Sequence, residues 1–409
     1  MKDAAEPAIP VERALEIVLR ETAPLEEERV ALPCALGRIL SEDIAADADQ
    51  PPFAKAMMDG FAVRSSDVAT VPIQLSVIEE ISAGKMPLRS LLQGQAAKIM
   101  TGAPLPDGAD AVQMVEKTRS PAEDAVVILE RVASGANVAP RGRELKRGQK
   151  VLSIGELLTP ARIGVLASVG RGSVTVRRRP RVTVIPTGDE LVDCESAPGP
   201  GQIRNSNGPS LLAAARLLRA EVEDGGIVKD DSVALSQSIA RGLRSDLLLL
   251  SGGVSMGEYD LVEKALEEEG VEIYFRKIAI RPGKPAVFGR KGSCLVFGLP
   301  GNPVSSLVIF AVFVASALRK MQGAPEVHPG ALSAILAQPV SQRPGRTAYL
   351  PGTLRFADAS VRIEPLPTTG SADLAAYSRA NALYVIPSDR DRLEAGECVR
   401  VLPLDSTLR

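Results

Sequence analysis

Apolar and polar positions change period several times along this chain, and the changes divide it. In PVERALEIVLRET, residues 10–22, apolar side chains fall at Val11, Leu15, Val18 and Leu19 behind a proline, which is the spacing of one helix face. After a mixed stretch, residues from about 46 to about 139 read as short Val/Ile-rich runs (IQLSVIEEI, AAKIM, DAVQMVEK, AVVILERV) broken by Gly, Pro and Asp. That text predicts a small β domain. Mixed character returns over 140–178, with a short helix in GELLTPARIGVLASVG. A β domain lodged between two such pieces is an insertion. Residues 1–45 and 140–178 are therefore expected to form one discontinuous domain around 46–139. The string VTVRRRPR, 174–181, reads as a solvated hinge, since like charges repel one another.

Beyond the hinge, strand, turn and helix alternate. RVTVIP is a strand, and PSLLAAARLLRA and DDSVALSQSIARGL are helices. DLLLLS and SCLVFG are continuous apolar runs, as in strands buried on both faces. YDLVEKALEEEG is a helix ended by Gly270, and PVSSLVIFAVFVASALRKM is the last helix. The alternation predicts a doubly wound, mostly parallel sheet over 179–325. Residues 326–409 return to Pro/Gly-rich β text, so a small β-barrel is expected there. The class is α/β multidomain, and 409 residues are too many for one ordinary core.

Composition narrows the chemistry. The chain is 45% hydrophobic with a net charge of -2, which gives no general attraction to nucleic acid or an acidic membrane. Aromatics are 3% and Trp is absent, against a base-stacking platform. Cys34, Cys194, Cys294 and Cys398 form no CxxC pair and read as separate reduced thiols. His328 is the single histidine, so a Ser-His-Asp triad or a His-rich metal site is disfavoured and any metal needs oxygen ligands, which suits magnesium. The start of the chain has no long apolar run, and the stretch 304–318 is short and carries three serines, so it reads as a buried helix. A cytoplasmic protein is expected.

Ligands of an open parallel sheet bind beyond the carboxyl ends of its strands. Three such ends carry unusual text. After the strand 181–185 comes Thr187-Gly188-Asp189-Glu190, two acids able to hold magnesium, although a plain polar turn reads the same way. After DLLLLS comes Ser251-Gly252-Gly253, which lets backbone approach a phosphate; Glu258 and Asp260 follow, as metal ligands or simply as a helix cap. After SCLVFG comes Gly298-Leu299-Pro300-Gly301-Asn302-Pro303, a stiff turn that preorganises an anion site or is merely rigid. Between the last two, Lys277, Arg281 and Lys284 surround a Pro-Gly turn. If Lys277 and Arg281 share a strand, their even offset puts them on one face, where they neutralise a tetrahedral oxyanion. Asp59, in a tight Asp-Gly turn, and Thr101-Gly102, at a strand end, stand out within the inserted domain.

Taken together, MMDGFAV, TGAPLP, TGDEL, SGGVSMGEYD, RPGKP and GLPGNPVS occur in the order and spacing of the molybdopterin molybdenumtransferases, the MoeA family, which resembles the catalytic E domain of gephyrin. The resemblance spans nearly the whole chain. It implies four domains, an elongated homodimer with a cleft between subunits, and magnesium-assisted insertion of molybdate into adenylylated molybdopterin with release of AMP. By motif match it implies functional positions at Asp59, Thr101, Glu190, Asp230, Asp260, Lys277, Arg281, Pro300, Pro303 and Ser371, with Glu190, Asp230 and Asp260 on the metal. Transient contact with the molybdopterin adenylyltransferase belongs to the same expectation. One string departs from the family: Ala139-Pro140-Arg141-Gly142-Arg143-Glu144 stands where Arg-Pro-x-Gly-Glu-Asp is common, so Arg141 or Arg143 is expected to replace the missing cation. Ala56 stands in place of a frequent Ser, and Arg281 in place of a Lys of some members. A pterin adenylyltransferase and a non-catalytic pterin-binding scaffold are the alternatives.

Overall fold

The computed structural model describes residues 7–253, 261–328, 332–357 and 360–404. Helix α1 (Val11–Glu21) turns Val11, Ala14, Val18 and Leu19 inward, and β1 (Glu27–Ala31) follows. The inserted region then builds a six-stranded sheet from β2 (Gly60–Val63), β3 (Ile73–Ile81), β4 (Gln95–Ile99), β5 (Ala111–Met114), β6 (Thr118–Ala122) and β7 (Ala125–Ile128), in the order β5-β2-β4-β3-β7-β6. Its two faces bury separate apolar clusters, one around Phe61, Leu75 and Ile128, the other around Ile81, Leu91 and Ile99. Helix α2 (Pro160–Ser168), capped by the Thr159 side chain, and β8 (Ser173–Arg177) return the chain to β1, which pairs with β8 antiparallel.

The region 174–181 is therefore not a solvated hinge. Its first half, 174–177, is strand β8, and Arg178 lies against Asp246 in a two-pronged ion pair, Nη1 to Oδ2 at 2.6 Å and Nη2 to Oδ1 at 2.7 Å. The repulsion among neighbouring arginines is offset by buried carboxylate.

The central sheet follows: β9 (Arg181–Pro186), α3 (Asn207–Leu217), β10 (Glu221–Asp224), α4 (Ser232–Gly242), β11 (Leu247–Ser251), α5 (Leu261–Glu268), β12 (Glu272–Lys277), the short β13 (Ile280–Arg281), β14 (Pro285–Lys291) and β15 (Cys294–Leu299). The order is β10-β9-β11-β15-β14-β12; the first four strands are parallel, β14 runs against them, and β12, antiparallel to β14, runs in their direction again. Leu247 and Leu249 enter the core shared with α1, α3 and the last helix, while Leu248 and Leu250 enter the core shared with α4 and α5. An uninterrupted leucine run is what a strand covered on both faces requires.

The last helix runs from α6 (Pro303–Ile309) through a π-type turn, Phe310–Val314, into α7 (Ala315–Met321). It is long and apolar enough to cross a membrane, but 83% of its apolar window is buried within the chain. The apolar faces of α1 and of this helix pack on each other and on the sheet, in keeping with the buried helix read from 304–318. A closed five-stranded barrel ends the chain, from β16 (Leu332–Leu336), β17 (Thr347–Ala357), β18 (Ser360–Pro365), β19 (Ala382–Ile386) and β20 (Cys398–Pro403), closed by the β17–β19 pairing. All four cysteines are free thiols, and only Cys294 is buried.

Candidate active site

Pro186, Ser251 and Leu299 lie in register at the carboxyl ends of β9, β11 and β15, so their three turns begin side by side. Hydrogen bonds lock the turns together: the Thr187 amide donates to the Ser251 carbonyl (2.8 Å) and the Gly252 amide to the Leu299 carbonyl (3.1 Å). Gly252 and Gly253 have φ of +105° and +63°, and a side chain at either would run into Thr187 or Val262. Only glycine fits there. Helix α3 adds Asn207, whose Nδ2 donates both to Ser251 Oγ (2.7 Å) and to the Gly301 carbonyl (2.8 Å). One amide thus joins the second turn to the third.

The third turn is fixed from two sides. The Pro300 carbonyl accepts from Ser306 Oγ, Pro303 opens α6, Asn302 Nδ2 donates to Ser371 Oγ (3.0 Å), and the Val304 amide donates to the Ser371 carbonyl (3.1 Å). Ser371 comes from the barrel region, so sheet and barrel meet here.

The first turn gathers acids. The Asp230 amide donates to Asp189 Oδ1 (3.2 Å), and Lys229 Nζ donates to the carbonyls of Asp189 (2.7 Å) and Leu191 (2.9 Å). Asp189, Glu190 and Asp230 are exposed at this corner. Glu258 and Asp260 lie outside the described residues. Among the described residues no group of three or more His, Cys, Asp and Glu side chains is poised to enclose a metal ion.

Lys277 and Arg281 do not share a strand. Lys277 ends β12 in the central sheet, whereas β13 leaves that sheet and pairs parallel with β17, Arg281 opposite Ala348. The chain breaks direction because the Ala279 amide bonds to Ile9 and the Ile278 amide to Lys284. The consequence is a meeting of two similar turns, Arg281-Pro282-Gly283-Lys284 and Arg343-Pro344-Gly345-Arg346. Two adjoining cavities, of about 510 Å³ and about 400 Å³, share Arg281, Pro282, Gly370 and Ser371 as walls. Arg343 lines the larger; Lys284, Pro300, Ser305 and Arg346 line the smaller; no Asp or Glu lines either. Cations, serine hydroxyls and no carboxylate make a receptor for a compact anion. Lys277 lines neither cavity.

Asp59 and Thr101 form a separate pair on the inserted sheet. The Thr101 amide and hydroxyl both donate to Asp59 Oδ1, each at 2.7 Å. The hydroxyl bond, reinforced by the amide, holds the Asp59 carboxyl below its ordinary value. In the departing string, Arg141 is tied to Asp49 (2.7 Å) and Lys55 to Glu144 (3.5 Å), while Arg143 Nη1 reaches Met57 Sδ (3.0 Å), two residues from Asp59. Of the two replacement cations expected there, Arg143 is the one without a carboxylate partner among the described residues.

Sequence reasoning missed Asn207, Arg343 and Arg346, and it named Asn302 only as part of the stiff turn, without its bond to Ser371. The arginines carried a readable signal, a second Arg-Pro-Gly-cation string matching 281–284. The asparagines carried none, since each acts through a partner far along the chain.

Comparison with known proteins agrees with this layout. Residues 9–170 match the MoeA N-terminal region (domain I and II), 183–320 a probable molybdopterin binding domain, and 333–404 the MoeA C-terminal region (domain IV). The molybdopterin molybdenumtransferase of Staphylococcus aureus (strain Mu50 / ATCC 700699) is 34% identical over 97% of this chain and 96% of its own length. That of Staphylococcus epidermidis (strain ATCC 35984) is 32% identical over the same shares. A molybdopterin biosynthesis MoeA structure from Pyrococcus horikoshii OT3 superposes with a TM-score of 0.82 at 31% identity, covering 97% of this chain and 100% of that one. Family models over all three regions, relatives matched end to end and a shared fold together place this chain in the molybdopterin molybdenumtransferase (MoeA) family.

Proposed function

We propose that this chain inserts molybdate into adenylylated molybdopterin and releases AMP. The observation that carries the reading is the pair of acid-free cavities where the two Arg-Pro-Gly turns meet, beside the strand-end turns of the sheet. Molybdate is a compact tetrahedral dianion; Arg281, Lys284 and Arg346 supply charge-assisted donors and Ser305 and Ser371 line the same walls. Ser251, Gly252 and Gly253 let the pterin nucleotide approach the backbone, and Pro300 and Pro303 keep the intervening turn stiff. Lys277 remains in the proposed catalytic set through its place at the end of β12, next to the turn that carries Lys284.

Magnesium suits the oxygen donors of Glu190 and Asp230, which the Asp189 bond brings to one corner. With two such acids and no enclosing cage among the described residues, they fit an ion that arrives with substrate phosphate. When bound, it supplies positive charge against the phosphoanhydride. The chain's own part is positioning and charge neutralisation, which lets two anions approach each other.

Asp59 and Thr101, held on a different sheet, suit a homodimer in which one subunit completes the site of another. A cytoplasmic location and transient contact with the adenylyltransferase complete the proposal. Calorimetric titration with molybdate tests its core. Lys284→Ala and Arg346→Ala are each expected to weaken binding by 1.5–3 kcal/mol, roughly the worth of a hydrogen bond to a charged group. Unchanged molybdate affinity in both variants would remove the cavities from the site.

A further inference from the structure

The two cavities beside the Arg-Pro-Gly turns differ in what they can hold. The smaller, of about 400 Å³, reaches the third strand-end turn through Pro300 and Asn302 and carries the cations proposed for molybdate. The larger, of about 510 Å³, is walled mainly by residues 341–351 and 368–371 of the barrel region. A compact tetrahedral anion leaves most of such a space empty; the volume falls in the range of sites for small organic ligands, roughly 300–1,000 Å³. Pro282, Val304, Leu350 and Pro351 give it apolar walls, Ser341 and Thr368 bring hydroxyls, and Arg343 adds a guanidinium that the smaller cavity lacks. Apolar walls with a few polar groups suit a flat heterocycle, whereas a bare oxyanion has nothing to set against them.

The larger chamber is also built before any ligand arrives. Gln342 Nε2 donates to the carbonyls of Pro387 (3.0 Å) and Arg390 (3.1 Å), the Gln342 amide to the Asp391 carbonyl (2.7 Å), and the Gly345 amide to the Ser388 carbonyl (2.7 Å). The turn that carries Arg343 is thus fastened on both sides of it. On another wall, the Thr369 amide and hydroxyl both donate to Asp373 Oδ2, at 2.9 Å and 3.1 Å. Fixed walls lower the cost of ordering a ligand. Arg343 is exposed and has no carboxylate partner among the described residues. A guanidinium only donates, so what it meets in the chamber is an acceptor.

Order in space then matches order in the substrate. Along the molecule come the strand-end turns, the smaller cavity that touches them, and the larger cavity that shares Arg281, Pro282, Gly370 and Ser371 with the smaller. Along adenylylated molybdopterin come the nucleotide on its phosphate arm, the dithiolene that takes molybdenum, and the pterin rings. With the nucleotide at the strand ends and molybdate in the smaller cavity, the rings fall to the larger one. From this we infer that the chamber on the barrel side seats the pterin rings, with Arg343 donating to their carbonyl edge. This deepens the proposed function and rests on it. It moves recognition of the ring out of the central sheet domain and onto the barrel region, whose hydroxyls at Ser341 and Thr368 both donate and accept and so suit the ring's N–H groups.

The test uses full-length protein, wild-type and with Arg343→Ala or Arg346→Ala, titrated calorimetrically with pterin, AMP and molybdate in turn. Arg343→Ala is expected to weaken pterin binding about tenfold and to leave molybdate binding unchanged, and Arg346→Ala to do the reverse. Pterin is expected to bind molybdate-saturated protein as well as molybdate-free protein, because each ligand has its own cavity. Arg343→Lys, which keeps a charged donor, is expected to recover part of the lost affinity, which a general loosening of the turn would not allow. If Arg343→Ala weakens AMP and spares pterin, the chamber belongs to the nucleotide and the inference is overturned. It is equally overturned if pterin does not bind wild-type protein, binds Arg343→Ala as tightly, or is displaced by molybdate. In each of these cases the proposed function stands so long as Arg346→Ala still weakens molybdate binding; if it does not, the inference and the reading beneath it fall together.

Discussion

Asp59 shows how one residue is prepared before any substrate arrives. Two donors from Thr101 converge on a single carboxylate oxygen, and they favour the charged form. The folded value is depressed, so whatever this pair adds to stability is present above the ordinary 3.8 and is lost as pH falls through the depressed value. Thr101→Val removes the hydroxyl bond, the larger cause, and is expected to raise the Asp59 titration midpoint back toward its ordinary value. Carbon-detected NMR of the Asp59 carboxyl reads this directly; an unmoved midpoint would show that the hydroxyl does not hold the charge. Residues of this kind were legible because the motif text singled out Asp59 and Thr101 as types in unusual turns. Asn207 was not, because its role rests on Ser251, 44 residues away, and Gly301, 94 residues away. Nothing local in the string NSNG announces either partner.

At the scale of elements, apolar periodicity gave the helices and the buried strands, since an element covered on both faces has little choice but continuous apolar text. Charge patterning misled. The arginines at 177–179 look solvated in one dimension, yet Arg178 finds Asp246 at a separation of 68 residues. Burial opposes ionisation of Asp246, but the Arg178 fork and the Arg181 amide outweigh it and hold its carboxyl below the usual range. The stability that this pair contributes is therefore present above the ordinary carboxylate range and is lost as pH falls through the lowered value. Arg178→Ala leaves a carboxylate that is 6% exposed without its main partner. The expected loss is about 3 kcal/mol in denaturant unfolding at neutral pH. Arg179→Ala, with no carboxylate partner among the described residues, is expected to change stability by less than about 0.5 kcal/mol. Equal effects of the two would show that general charge, not the fork, is what matters. The even spacing of Lys277 and Arg281 misled for a related reason: period-two reasoning holds only within one strand, and the chain changes sheets between them.

Over the whole molecule, the proposed parts lie on different units. Asp59 and Thr101 sit on the inserted sheet, Glu190 and Asp230 at the central sheet, and Ser371 beside the barrel. The dimer reading predicts complementation between two inactive variants, Asp59→Asn and Glu190→Gln. Subunit exchange is expected to give heterodimers with one intact site and one doubly damaged site, and activity should appear on mixing. A mixture that stays inactive, with heterodimers verified by native mass spectrometry, would place each site within one chain.

The account's central claim is tested most directly by following AMP. Wild-type protein is incubated with adenylylated molybdopterin and magnesium, with and without molybdate, and AMP is measured chromatographically alongside pterin-bound molybdenum. The account predicts AMP release that follows molybdate concentration, one molybdenum retained on the pterin for each AMP formed. AMP released equally fast without molybdate, or bound substrate left intact when molybdate is present, would contradict it.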